Sequence, residues 1–203
     1  MRKLFVILVI LCFGNTITTF ASYASKSHLH LFLGQKLLDI DDWYPADTQL
    51  EYAIDGDFNI NEQPFNTSFS YLSSGEDIYL DGVALTLATT EFRVGLRQYL
   101  STEYDKFSWF FGGGVANISG KLSVSITSIE DSAIGFYGEL GLQYKLESNF
   151  HIGTKVAYSV AEINLDGAII AVGGLHYGLF VNIPLKSQGN LTRRNPLLKG
   201  TQR

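Results

Sequence analysis

Seven titratable side chains occur in segments where apolar and polar residues alternate, and each lies on the polar side of its segment. They are three acids, three bases and one histidine: Glu51, Glu91, Glu139, Arg93, Arg97, Lys155 and His176. Such a balanced set can form ion pairs across an enclosed interior, where breaking one buried pair costs about 3–5 kcal/mol. We predict a polar network that holds a closed barrel together. A narrow channel for ions or small solutes, whose pairs exchange partners, is the alternative.

Nucleophilic catalysis needs a serine activated by a histidine that an acid orients. Glu139, Ser159 and His176 fall in neighbouring segments, but all three are predicted to face the interior, where a lipid substrate does not readily enter. We therefore expect no enzymatic activity. A lipid-modifying enzyme is the third interpretation, after a structural or surface-interaction role and the narrow channel. The histidines, including His28, His30 and His151, lack the spacing of a zinc helix or ribbon, so no metal or cofactor is predicted.

The segment DIDDWYPADT, in the first long connection, concentrates acids around two aromatic residues. The candidate surface residues are Asp39, Asp41, Asp42, Trp43 and Tyr44. The carboxylates could bind a divalent cation that bridges to lipopolysaccharide phosphates, and the aromatic rings could lie at the membrane interface. The spacing lacks the glycine and terminal glutamate of a calcium loop, so a solvated acidic loop is favoured.

Eight segments with period-two alternation follow one another along the chain, and most have a length near that of a tilted membrane strand. They cover residues 28–34, 49–55, 65–71, 91–100, 107–120, 134–146, 150–160 and 175–183. Short connections alternate with longer ones that are richer in acidic residues, serine and threonine. This pattern predicts an all-β fold, a closed antiparallel eight-stranded transmembrane β-barrel in an up-and-down meander, with both termini in the periplasm. A secreted, lipocalin-like barrel with an apolar interior is the structural alternative.

One of the long connections, residues 73–89, is unusually apolar for a surface loop. Either the flanking strands extend beyond the membrane as a hairpin, or this surface binds a partner.

The two ends of the chain differ from the barrel segment, residues 25–184. Residues 1–24 carry Arg2 and Lys3 before an apolar run, which predicts a signal peptide cleaved after Ala21 or Ala24. The only cysteine, Cys12, lies in that run, so the exported chain has no disulfide. Residues 185–203 form a basic, periplasmic tail that is predicted to be disordered. The formal net charge of −5 disfavours nucleic acid as a partner.

A resemblance to a known family rests on four stretches of the sequence: TEFRVGLRQYL, FSWFFGGGVANISG, IGFYGELGLQYKLESNFHIGTKVAYS and GGLHYGLFVNI. Residues 28–184 resemble the small outer-membrane β-barrels of Gram-negative bacteria, the family of opacity proteins and of the transmembrane domain of outer membrane protein A. The resemblance implies an outer-membrane location and contact with membrane lipid and lipopolysaccharide. It also implies a structural or surface-interaction role, such as that of an adhesin, with an unknown extracellular ligand. We expect a monomer.

The closing strand resembles the family's assembly signal, which the barrel-assembly machinery recognises. A polar residue, a glycine two positions later and alternating apolar residues are present as His176, Gly178, Val181 and Ile183. The family usually ends on an aromatic residue at the end of this strand, whereas here residues 184–203 follow Ile183.

Overall fold

The structure is a computed structural model that describes residues 27–60, 63–80, 82–100, 106–124, 126–147 and 150–185. The predicted signal peptide and nearly all of the basic tail lie outside the described residues.

Ten strands and one short helix make up the described chain. The strands are β1 (Ser27–Leu37), β2 (Thr48–Asn59), β3 (Asn66–Leu80), β4 (Val83–Leu100), β5 (Phe107–Val124), β6 (Thr127–Glu147), β7 (Phe150–Val160), β8 (Glu162–Leu165), β9 (Ala168–Ala171) and β10 (Gly174–Leu185), and the helix is α1 (Ile40–Trp43). Strands β1 to β7 and β10 form one closed barrel in which each strand pairs with its neighbours in the chain, while β8 and β9 form a separate hairpin. The predicted eight-stranded antiparallel meander is confirmed.

The barrel closes between its first and last strands. β1 and β10 pair antiparallel in an unbroken register from Ser27↔Leu185 to Leu37↔Leu175. Closure gives every strand two hydrogen-bonded neighbours, so the sheet presents no free edge to lipid.

The outer surface of the barrel is apolar and much of its interior is polar. Leu33, Phe136 and Leu179 are 60, 70 and 70% exposed on the outer surface, whereas Arg97 and Lys155 are buried inside. A water-soluble barrel would have the opposite arrangement, because exposing a continuous apolar belt to water and burying charges is unfavourable. The lipocalin-like alternative is therefore wrong. Among the described residues, no helix has the length and apolar character needed to cross a bilayer.

Two hairpins continue past the apolar belt on the side opposite the chain ends. β3 and β4 remain paired as far as Leu80↔Val83, and β5 and β6 as far as Val124↔Thr127. The connection over residues 73–89 is thus mostly strand, and the hairpin interpretation is correct. The reversal of this hairpin includes Gly82, whose φ of 81° is rarely adopted by residues that have a Cβ.

Glycine makes room for large side chains at one point inside the wall. A Cβ at Gly95 would lie 2.5 Å from Tyr137 Oη and 2.3 Å from the carbonyl oxygen of Gly113. A Cβ at Gly138, on the outer face of β6, would have no neighbour nearer than 4.0 Å.

We therefore expect Gly95→Ala to lower the free energy of unfolding by about 1–3 kcal/mol, the usual cost of overpacking. Gly138→Ala, the matched control, should change it by less than about 0.5 kcal/mol. Urea titration of the barrel in lipid vesicles measures both values. Equal effects of the two substitutions would show that the wall has space at Gly95.

Candidate functional site in the barrel interior

The charged residues nearer the end of the barrel opposite Ser27 and Leu185 form one connected group, here called the upper cluster. It consists of Lys36, Glu51, Glu91, Arg93 and His176, all buried. Lys36 Nζ lies 2.8 Å from Glu91 Oε1, and Arg93 Nη2 lies 2.6 Å from Glu91 Oε2. His176 Nδ1 lies 2.8 Å from Glu51 Oε1. Glu91 is the centre of this cluster because it accepts hydrogen bonds from two cations.

A second group, the lower cluster, lies nearer the end of the barrel that holds Ser27 and Leu185. Its members are His28, His30, Asp55, Asp57, Arg97, Glu139 and Lys155, again all buried. Arg97 Nη2 lies 2.6 Å from Glu139 Oε1, and Arg97 Nη1 donates to Asp57 Oδ2 over 3.0 Å. Lys155 Nζ donates to Asp55 Oδ2 over 2.6 Å. Arg97, on β4, therefore links carboxylates from two other strands of the barrel, β2 and β6.

The seven residues predicted to line the lumen all lie inside the barrel, and they are divided between these two clusters. Five further members were not among the predicted site residues: His28, His30, Lys36, Asp55 and Asp57. Asp55 and the two histidines alternate with apolar residues in the predicted strands, so period-two alternation could have identified them. Lys36 and Asp57 lie two residues beyond the predicted ends of the first and second segments.

Ser159 and His176 meet in the upper cluster, where Ser159 Oγ lies 2.9 Å from His176 Nε2. The acid on the other ring nitrogen is Glu51, whereas Glu139 pairs with Arg97. Glu139, Ser159 and His176 all lie inside the barrel but do not form one set, because tilted and staggered strands bring Glu51, not Glu139, to the level of His176.

This constellation has the distances of a catalytic triad but not its accessibility. Ser159 and His176 are each 1% exposed. Ser159 also donates to Glu91 over 3.0 Å, and Arg93 Nη2 lies 2.9 Å from the same Nε2 of His176. The nitrogen that would have to take the serine proton is therefore shared with a guanidinium group.

The interior is also filled by apolar side chains. Nine buried residues pack at the end next to the upper cluster: Leu38, Trp43, Ala116, Ile118, Tyr137, Ala161, Ile163, Leu165 and Val172. A second group surrounds the lower cluster: Phe32, Ala53, Leu72, Phe110 and Phe180. Arg97 and Lys155 each lie over a ring of this group, at 4.9 Å from Phe110 and 4.7 Å from Phe32.

The first loop covers the end of the barrel next to the upper cluster. Trp43 is 3% exposed and donates from Nε1 to the Ala171 carbonyl over 2.6 Å. The expected surface position of Trp43 is wrong, because its indole fills the apolar space beneath α1. Asp39 caps α1 by accepting from Asp41 N, and Asp42 accepts from Ala171 N over 2.8 Å.

The other candidate residues of this loop, Asp41 and Tyr44, are exposed. A second bridge joins the β8–β9 hairpin to β6, where the Asp131 carboxylate accepts from Asn164 N over 2.9 Å. This hydrogen bond lowers the pKa of the Asp131 carboxyl group. The first loop, the β8–β9 hairpin and the adjoining end of β6 therefore form one connected cap.

The proposed assembly signal lies on β10. His176 is buried inside the barrel, Val181 is exposed on the outer surface, and Gly178 pairs with Gly34 across the closing seam. Recognition of this strand by the assembly machinery stays a prediction.

No family model and no curated protein matches this sequence. Similar solved structures include Neisserial surface protein A, at 10% identity over 80% of this chain and 98% of that chain, with a TM-score of 0.57. They also include the outer membrane protein OprG from Pseudomonas aeruginosa, at 12% identity over 83% and 100% of the two chains, with a TM-score of 0.56.

A third is Ail, the attachment invasion locus protein of Yersinia pestis, which was solved in complex with the heparin analogue sucrose octasulfate. It is 17% identical over 78% of this chain and 98% of that chain, with a TM-score of 0.53. At these identities the likeness establishes the fold.

Proposed function

We propose that this chain, which has the eight-stranded fold of the small outer-membrane barrels, acts through its extracellular surface, not through its interior, and is not an enzyme. The single observation that carries the proposal is the contrast between a lumen filled with paired and apolar side chains and strands that continue past the membrane belt. An interior used for transport or catalysis would need space and access.

The ends of the extracellular hairpins present apolar side chains to solvent. Tyr79, Ile126 and Ile169 are 81, 100 and 71% exposed. They lie on three different hairpins, where each is available for contact with a partner.

The same surface is strongly acidic. The described extracellular segments, 38–47, 73–80, 82–89, 120–124, 126–133 and 161–173, contain ten acids and one base. The acids are Asp39, Asp41, Asp42, Asp47, Glu76, Asp77, Glu130, Asp131, Glu162 and Asp166, and the base is Lys121. Such a surface repels a polyanion and attracts a partner with positive charge. We therefore infer a basic extracellular partner, in contrast to the sulfated ligand of Ail.

Adhesion of cells that display the barrel tests this proposal. A non-adherent Gram-negative host expressing the chain should adhere to a surface coated with polylysine at least several-fold better than to one coated with heparin, and added salt should weaken the adhesion. In the variant Glu76→Gln/Asp77→Asn/Glu130→Gln, most of the difference in adhesion between the polylysine and heparin surfaces should disappear. Lys121→Gln is the matched control, because it changes the same surface and leaves every acid in place. Preference for heparin would contradict the proposal.

Conductance separates the proposal from the channel alternative. In planar bilayers the purified barrel should produce no discrete conductance steps, because both clusters and the apolar groups fill the lumen. Conductance steps whose size changes in Glu91→Gln would contradict the proposal and support transport through the lumen.

A further inference from the structure

The lower cluster contains two histidines and a carboxylate in an arrangement suited to a metal ion. His28 Nδ1 lies 3.1 Å from Asp57 Oδ1, and His30 Nε2 lies 3.3 Å from Asp57 Oδ2. One ligand atom from each of the three residues can be chosen so that all lie within 4.8 Å of one another. Tetrahedral sites with bonds of about 2.0–2.1 Å separate their ligand atoms by about 3.3 Å. The three groups therefore need little movement to share one ion.

A fourth donor lies beside these three. Tyr99 Oη is 3.0 Å from His30 Nε2 and 2.6 Å from Asp57 Oδ2. It extends from β4, across the barrel from β1 and β2. Four-coordinate zinc sites are completed by a protein group or by water, and the phenol oxygen is placed to serve in that position.

Strand geometry explains why these residues meet. His28 and His30 are two residues apart on the inward face of β1, and His28 pairs with Asp57 in the β1–β2 register. Aromatic rings pack against both imidazoles. The ring centroid of His30 lies 5.1 Å from that of Phe180 and 5.8 Å from that of Phe110, and the ring centroid of His28 lies 4.6 Å from that of Tyr99. A site held by packed rings on paired strands is preorganised, which favours binding.

The site lies at the end of the barrel where the described chain begins. β1 begins at Ser27, so His28 is the second residue of the strand at that end of the barrel, and it is 6% exposed. His30 is fully buried behind it. An ion entering from the periplasm would meet His28 first.

Charge balance also favours a cation at this position. Among the described residues of the lower cluster, three carboxylates, those of Asp55, Asp57 and Glu139, face two bases, Arg97 and Lys155. The upper cluster has two carboxylates and two bases, apart from His176. With the histidines left out of both counts, the excess of acids therefore lies in the cluster that holds the histidine pair. Each of these carboxylates has a basic partner, and a bound cation would balance the excess negative charge.

Arg97 is the group with which a metal ion would share Asp57, since its Nη1 donates to Asp57 Oδ2 over 3.0 Å. Its charge is also neutralised by Glu139, whose Oε1 lies 2.6 Å from Arg97 Nη2. Asp57 Oδ1 accepts from Asn66 as well as from His28. Both contacts hold the carboxylate in place.

We propose that His28, His30 and Asp57, with Tyr99 beside them, bind a divalent transition-metal ion of the zinc class at the periplasmic mouth of the barrel. Imidazole ligands select such ions over Mg²⁺ and Ca²⁺, which prefer oxygen ligands throughout. The histidine spacing in the sequence does not show this site, because the carboxylate comes from the next strand.

Calorimetric titration with ZnCl₂ tests the proposal on the full exported chain, refolded in detergent without a polyhistidine tag and treated with a chelator. We expect one Zn²⁺ per chain. His28→Asn and His30→Asn should each weaken binding by at least about 10-fold, the smallest loss commonly seen at metal sites. His151→Asn is the matched control, a histidine at the same end of the barrel but outside the lower cluster, and it should bind as the unchanged chain does. CaCl₂ should give no heat at this site.

Two further measurements keep the test decisive. A difference in gel migration between unheated and boiled samples establishes that each variant is folded. Should a variant not fold, titration of the unchanged chain with Co²⁺ decides, because a tetrahedral site gives an intense visible absorption that excess Zn²⁺ removes. Absence of Zn²⁺ binding, or equal binding by His28→Asn and His151→Asn, would overturn the proposal. Adhesion and conductance do not enter this test, so its failure leaves the surface function untouched.

Discussion

Arg97→Met should be among the most destabilising single substitutions in the lumen, lowering the free energy of unfolding by about 3–5 kcal/mol. Arg97 is fully buried and contacts Asp57 at 3.0 Å, Glu139 at 2.6 Å and Asp55 at 3.6 Å. Removing the guanidinium leaves these three carboxylates with Lys155 as the only lysine or arginine of the lower cluster. Methionine keeps much of the volume, so the loss reports mainly charge. Urea titration in lipid vesicles, followed by the migration of unheated samples, measures it.

A second substitution separates charge from packing at this position. Arg97→Met/Glu139→Gln removes one of the carboxylates left unpaired and should recover a clear part of the lost stability, because replacing both partners of a buried pair costs less than breaking it. Lys121→Met, an extracellular base outside the clusters, is the control and should stay within about 0.5 kcal/mol of the original. A loss below about 1 kcal/mol in Arg97→Met would mean that water or rearranged side chains solvate the carboxylates.

The sequence predicted the barrel because its evidence is local and repeated. Alternation of Phe92, Val94 and Leu96 with Glu91 and Arg93 fixes which face of β4 contacts lipid, whatever the neighbouring strands do. Strand order then follows from short connections, since a meander with an even strand count closes with few alternatives.

The partners within the lumen could not be predicted in the same way. Contacts across a barrel depend on strand tilt and on the stagger between strands, which no single segment encodes. His176 therefore meets Glu51 from β2 and not Glu139 from β6. The metal-type cluster was missed because His28 and Asp57 are 29 residues apart in the chain and meet only through the pairing register of β1 and β2.

The burial of Trp43, in an otherwise exposed candidate set, was missed for a different physical reason. An acidic, aromatic loop with a proline is typical of a solvated surface, and Tyr44 is indeed 76% exposed. Trp43 is buried because its side chain extends from α1 into an apolar space next to the upper cluster. Side chains from β5, β6 and the β8–β9 hairpin enclose that space. Nothing in the sequence of the loop reveals that space.

Trp43→Ala should release the first loop from the β8–β9 hairpin while the barrel stays folded. Truncating a buried tryptophan costs about 3–5 kcal/mol, and here it also removes the hydrogen bond to the Ala171 carbonyl. The strands keep their backbone pairing, so the cost falls on local opening of the cap. Since 1.4 kcal/mol corresponds to a tenfold change, 3 kcal/mol predicts that proteinase K cleaves residues 38–47 about 100-fold faster. Mass spectrometry of the fragments locates the cleavage.

The adjacent residue supplies the matched control for this prediction. Tyr44→Ala removes an aromatic ring of similar size from the same loop, but that ring is exposed and should leave the cleavage rate nearly unchanged. Equal acceleration by both substitutions would mean that the loop is held by its backbone alone. A selective effect of Trp43→Ala would show that the indole anchors the acidic cap. Adhesion of that variant to polylysine then reports whether the surface function depends on a rigid cap or only on its charge.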